Sequence, residues 1–403
     1  MIRLPRVTPA RAAAVITTAA ALTLPAAFHP VAADEARPNV LSWGAGRVGQ
    51  LGSGTSNDSL SPTAVLNLMR NDVAKVSAGG TSSADAFAVA LTKGNDVQSW
   101  GYNGDGQLGN NGRDDQEVPV TVPRLRDIAD VAAGGAHALA VDNAGQVYSW
   151  GANAYGQLGN TETGGNRNYP DRVQGLPFVK QVSAGCDFSL ALTDKDEVWA
   201  WGRGTHGQLG NGGRALSAVP VKVEGLDGIK EIDAGCHHAL ARTADGHIKS
   251  WGYNVYGQLG NSTTQSALTP VDVPWPQDAT DIEAGLFHNY AVSPAGVWGW
   301  GNNQYGQLLE EDESFADNIS RTNRTAPVLI PRLKDKGVKS IAAGPNHGVA
   351  LTTEEVLTWG HNGEGQLGNG TTVARYESVR IIRDRAKVDG VAASLGGNTT
   401  YAY

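Results

Sequence analysis

One eleven-residue pattern recurs seven times and sets what this chain can become. A complete copy is Trp150-Gly151-Ala152-Asn153-Ala154-Tyr155-Gly156-Gln157-Leu158-Gly159-Asn160. Trp-Gly pairs begin at 43, 100, 150, 201, 251, 300 and 359, and a Gln stands seven residues after each Trp. Gly-Gln-Leu is intact in every copy, and the residue after it is Gly except at Leu309. The Trp-to-Trp spacing runs from 49 to 59 residues. A period near fifty implies one supersecondary unit per repeat, which cannot bury its apolar face alone and must stack on its neighbours.

Each unit reads as four short strands. From 229 to 235 the residues alternate apolar and polar and stop at Gly235; His238 to Arg242 is a second apolar run; Ala244-Asp245-Gly246 is a hairpin turn, since Asp-Gly tolerates the positive φ of tight β-turns. A third strand runs from His247 to Gly252 and a fourth lies near Pro270-Val271-Asp272-Val273. Four antiparallel strands repeated seven times predict an all-β, seven-bladed β-propeller. The wheel closes by sharing a blade. The chain enters at Asn39–Gly44, a third strand, and leaves through Val391–Ser394 and Asn398–Tyr403, a first and a second strand. Deleting 390–403 should therefore cost most of the stability.

The amino terminus reads as a secretory signal peptide over 1–33. Arg3, Arg6 and Arg11 form a basic start, residues 12–28 an apolar segment, and Val31-Ala32-Ala33 a small-residue cleavage site before Asp34. The apolar run is short for a span and is interrupted by Pro25, and no later segment is apolar enough to cross a bilayer. The expectation is a secreted or extracytoplasmic protein whose single domain occupies 34–403. The balance of 40 Asp plus Glu against 32 Lys plus Arg argues against nucleic acid, which needs a basic surface.

Candidate sites are few. Four histidines, His137, His238, His288 and His347, occupy one equivalent position in four units. Equivalent positions on separate blades lie too far apart for one ion, so these read as structural residues, with no metal and no cofactor. No nucleophile elbow, metalloprotease helix, phosphate loop or calcium loop is present, and no catalytic residue is assigned. Cys186 and Cys236 follow Ala-Gly in adjacent units. They are either a disulfide stapling two blades or two reduced thiols too far apart to bridge. The residue before Gly-Gln-Leu varies: Val48, Asp105, Tyr155, His206, Tyr256, Tyr305 and Glu364. Consecutive units thus present Tyr155, His206, Tyr256 and Tyr305. On a shared rim they would form an aromatic arc suited to protein or glycan recognition; alternatively each packs on its own loop. Two longer connections, 53–73 and 309–327, are either binding loops or tolerated excursions. The second opens on Glu310-Glu311-Asp312-Glu313, which reads as a solvated face.

A second signature, Ala-Gly-x-x-His, accompanies the first, as in Ala133-Gly134-Gly135-Ala136-His137 and Ala343-Gly344-Pro345-Asn346-His347. Together they resemble the RCC1 (regulator of chromosome condensation) repeat family over nearly the whole mature chain. The resemblance implies a seven-bladed propeller. It also implies, through the founding member, a guanine-nucleotide exchange factor, which a leader peptide and an acidic surface do not suit. By compartment the nearer analogues are secreted bacterial seven-bladed propellers with Trp-Gly repeats, among them an inhibitor of class A β-lactamases, although their repeats are shorter. The function expected is that of an exported, non-enzymatic, monomeric binding propeller. Its partner would be another protein, such as an extracellular enzyme or a cell-surface component. An exchange factor and a β-lactamase-inhibitor-like or glycan-binding propeller are the alternatives.

Overall fold

The structure, a computed structural model, describes residues 40–68, 72–274, 278–309, 320–382 and 388–403. The leader read over 1–33 and the acidic run Glu310–Glu313 lie outside the described residues. The strands form seven four-stranded antiparallel sheets, each a blade of a closed propeller. Blades 1 to 6 begin at Val73, Ile128, Val179, Ile229, Asp281 and Ser340. Blade 7 combines the first two described strands with the last two.

Blade 4 shows the design. Its strands, from the axis outwards, are Ile229–Ala234, His238–Thr243, Ile248–Gly252 and Ala267–Asp272. The fourth begins three residues before the position read from sequence, and its register shifts between Ser250 and Gly252. The apolar pattern marks where a strand is buried, and this outer strand is only partly buried. Second strands are buried over most of their length, because neighbouring blades cover both faces; they therefore read as apolar runs rather than alternations.

The Trp-Gly signature is an inter-blade joint. In all seven copies the Gln side-chain oxygen accepts the backbone N–H two residues earlier, at 2.8–3.0 Å. The backbone oxygen of the same Gln accepts Nε1–H of the next blade's Trp at 2.8–3.0 Å. Each of these Trp side chains is fully buried. The Asn of the signature pins the loop: Asn153 Oδ1 accepts Leu158 N–H, and Asn153 Nδ2 donates to the carbonyls of Glu162 and Gly164. The Gly after Leu sits at positive φ, +67° at Gly159, where an added Cβ would lie 2.9 Å from Trp201 Nε1. Leu309 adopts the same conformation, at φ +49°, and its side chain is buried between blades 5 and 6. Every inter-blade interface has its own hydrophobic cluster, which is why a lone repeat has no core.

Closure is by hydrogen bonding between the two ends. Leu41–Gly44 pairs along its length with Thr399–Ala402, which pairs in turn with Val391–Ala393; Ser59–Ala64 is the outer strand. First and third strands run in the same direction. The Ala-Gly-x-x-His loops and the Trp-Gly loops therefore emerge together on one face, here called the loop face.

Candidate binding site on the loop face

The recurrent histidines belong to the frame. His137, His238, His288 and His347 are fully buried. Three reach across to the next blade: His137 Nε2 pairs with Ser189 Oγ at 2.9 Å, His238 Nε2 with Asn289 Oδ1 at 2.6 Å, and His347 Nε2 with Thr400 Oγ1 at 2.9 Å. Those partners donate onward to the backbone oxygens of Gln157, Gln258 and Gln366. At His288 the next blade carries Gly348. Tyr290 substitutes, its ring 5.1 Å from that of His288 and its hydroxyl donating to Gln307 O at 2.6 Å. A Cβ at Gly348 would stand 2.7 Å from that hydroxyl and 2.3 Å from the Trp359 ring. Burial lowers the pKa of His137, His288 and His347 to about 3 and of His238 to about 4, so all four are neutral. Among the described residues no group of three or more His, Cys, Asp or Glu could hold a metal ion.

Cys186 and Cys236 form a disulfide, with Cα atoms 4.5 Å apart, and Cys186 N–H donates to Cys236 O at 3.0 Å. Matched positions on adjacent blades come this close because both residues follow the innermost strands, where the blades converge. With Leu286 and Leu395 the bridge forms a small apolar cluster over the loop-face end of the central channel. Below it the first strands line a cavity of about 250 Å³ with Lys75, Gln181, Glu231, Asp233 and Glu283.

Three of the four variable aromatic residues join a larger arc. The His206 ring lies 4.8 Å from Tyr253 and 5.6 Å from His237, Tyr253 lies 6.1 Å from Phe287, and Phe287 lies 5.1 Å from Tyr256. The Arg203 guanidinium lies 4.8 Å from the Tyr155 ring centroid and donates to Asp187 at 3.0 Å. Tyr305 packs edge-on against His361 at 4.9 Å instead. All these rings are partly exposed, and Val255, beside Tyr256, is 54% exposed. Burial lowers the pKa of His206, with Arg203 and Arg214 adding to it. Burial also brings His237 to about 4, against the opposing pull of Asp187.

Arg203, His237, Tyr253 and Phe287 were not singled out from sequence. Arg203 and Tyr253 directly follow Trp-Gly; His237 and Phe287 directly precede a second strand. The signal that marks Tyr256, variation inside a constant frame, exists at both positions. Seeing that they meet requires knowing that two loops about thirty-five residues apart share one face.

The RCC1-like domain model matches residues 39–402. The chain belongs to the RCC1-like domain family. The ultraviolet-B receptor UVR8 of Arabidopsis thaliana is 32% identical over 363 residues, covering 88% of this chain and 79% of UVR8. The human E3 ubiquitin-protein ligase HERC2 is 31% identical over 360 residues, covering 87% of this chain; this RCC1-like domain spans only 6% of HERC2. Among solved structures, human WBSCR16 superposes with a TM-score of 0.75 at 26% identity, covering 90% of this chain and 98% of that one. Prp20p of Saccharomyces cerevisiae superposes with a TM-score of 0.77 at 23% identity, covering 90% of each chain; it shares the fold. Among the described residues no helix is long and apolar enough to cross a membrane.

Proposed function

We propose that this RCC1-like propeller is an exported, non-enzymatic protein-binding module that docks its partner on the loop face. The observation that carries this is the ring cluster of His206, His237, Tyr253, Phe287 and Tyr256, together with the Arg203–Tyr155 stack on the same face. Its loops are held by the Gln and Asn hydrogen bonds, so the side chains are presented with little entropy left to lose. Aromatic and Arg anchors on a rigid support are the composition of binding hot spots. The work on Prp20p describes binding to Gsp1p and histones, which supports a docking role for such a wheel without naming the partner here. Export rests on the leader sequence and on the Cys186–Cys236 bridge, since disulfides persist in oxidising compartments.

The test has two arms. Fractionation and amino-terminal sequencing should find the mature chain outside the cytoplasm, starting at Asp34; intracellular protein retaining Met1 refutes export and favours an exchange factor. Affinity capture from culture supernatant should recover a partner with the wild-type chain and lose it in a Tyr155→Ala, Tyr256→Ala double variant. Capture untouched by those changes refutes the docking face. A glycan-array signal lost in the same variant would move the reading to carbohydrate.

A further inference from the structure

The seven signature glutamines use their side-chain oxygens identically but not their side-chain N–H groups. Gln307 Nε2 donates to Asn302 Oδ1 at 2.9 Å. Gln366 Nε2 donates to His361 Nδ1 at 2.8 Å and to Asn398 Oδ1 at 3.0 Å. In both loops an acceptor stands five residues before the Gln. For Gln366 a second acceptor stands just before the second strand of the next blade. Gln50 Nε2 donates to Ser83 O at 2.9 Å. Gln107, Gln208 and Gln258 are fully buried, and their Nε2 groups have no protein acceptor. A buried amide N–H without an acceptor is costly, and native proteins rarely keep one without a reason.

At the junction of blades 3 and 4 the two corresponding positions are Arg203 and His237. Arginine has no acceptor to offer, and His237 Nδ1 is itself buried without a protein partner. The junction carries two cations, Arg203 and Arg214. Arg203 donates to Asp187 and to Thr205 Oγ1, and Arg214 Nη1 donates to Thr205 O at 3.0 Å. Against two guanidinium groups Asp187 supplies a single carboxylate, so the spot is locally positive on an otherwise acidic chain. The comparable junctions lack this. Around Gln258 the two positions are Tyr253 and Phe287, and around Gln107 they are Tyr102 and Ala136.

We infer that the junction of blades 3 and 4 is a carboxylate-binding niche that takes one acidic side chain of the docked protein. Gln208 Nε2–H and the Arg203 guanidinium are the donors, and His206 and His237 form the wall. This rests on the docking face proposed above and names the chemistry recognised there. The carboxylate supplies the acceptor that Asn398 and His361 supply internally at blade 7, while the flanking Tyr253, Phe287 and Tyr256 take the apolar neighbours of the acidic residue.

The probes are two blocked tripeptides, N-acetyl-Ala-Glu-Ala-amide and its Gln counterpart, titrated into the full chain carrying ¹³C-labelled histidine. The ring Cε1–H resonances of His206 and His237 should shift saturably with the Glu peptide and at least tenfold more weakly with the Gln peptide. Arg203→Gln should weaken the Glu response at least tenfold. His237→Asn places here the residue found at 398 and gives Gln208 an internal acceptor; it should abolish the response while the melting temperature stays level or rises. Equal titration by the two peptides, an undiminished response in Arg203→Gln, or inorganic phosphate binding more tightly than the Glu peptide would each overturn the niche. Partner capture lost in Tyr155→Ala, Tyr256→Ala but kept in Arg203→Gln overturns the niche and leaves the docking face standing. Capture indifferent to all three substitutions overturns both.

Discussion

Tyr401 tests whether the shared blade carries the stability of the wheel. It lies in the second strand of blade 7, opposite Ser42 on one side and Ala392 on the other, so it joins the first described strand to the carboxy-terminal segment. Its side chain is fully buried. The ring meets Trp100 of blade 1 edge-on at 6.1 Å, and the hydroxyl donates to Gln50 O at 2.6 Å. Truncation to Ala removes a buried aromatic residue from the cluster that joins blades 7 and 1, a loss of about 3–5 kcal/mol. Tyr401→Phe should cost only about 1 kcal/mol, because Gln50 O keeps its bond from Trp100 Nε1 at 2.8 Å and is not orphaned. Deleting 390–403 removes both inner strands of the blade and should exceed the roughly 5–15 kcal/mol that holds a domain together. Equilibrium unfolding in urea, followed by tryptophan fluorescence, reads all three variants. Tyr401→Ala within about 1 kcal/mol of wild type, or Tyr401→Phe costing as much as Tyr401→Ala, would refute this account of closure.

Cys186→Ser, Cys236→Ser removes a cross-link spanning 50 residues and should lower stability by up to about 4 kcal/mol on the chain-entropy estimate. Calorimetry should show a lower melting temperature, reproduced by reducing the wild-type chain; an unchanged transition would show that the blades hold that geometry unaided. Acid should also weaken the wheel. The four buried histidines have folded pKa values of about 3 to 4, so below the unfolded value near 6.5 the unfolded chain binds more protons. Each then costs about 2 kcal/mol by pH 5, and a His347→Asn variant should show a shallower loss of urea midpoint between pH 7 and 5. The channel carboxylates act in the opposite sense. Burial raises Asp233 to about 6 and lifts Glu283 well above the ordinary range. Their contribution is present at low pH and lost as pH rises through those values. Glu283→Gln should therefore raise the melting temperature at pH 8 more than at pH 5; an equal effect at both would exclude ionisation as the cause.

The frame was legible because it is written in backbone requirements. Trp-Gly and Gly-Gln-Leu recur because each Trp must find the carbonyl of the preceding unit's Gln, and the glycines between them must accept positive φ or close contact. Such constraints are local, repeat seven times and reinforce one another, so they disclosed blade count, strand order and the sharing of blade 7. Outer strands such as Ala267–Asp272 were placed less well, since a strand that is only partly buried has little apolar pattern to show.

By itself the amino-acid sequence determined a wheel of seven interlocked sheets and a rim whose side chains vary. It left open whether Cys186 and Cys236 could meet, and it showed Tyr155, His206, Tyr256 and Tyr305 as four equivalent loop residues. Only the tertiary structure decided that the cysteines are joined, that Tyr305 turns to His361, and that Arg203, His237, Tyr253 and Phe287 complete the arc. The physical reason is that these contacts cross between blades. Their distances are fixed by how neighbouring sheets converge on the axis, and no pattern within a single repeat encodes that convergence.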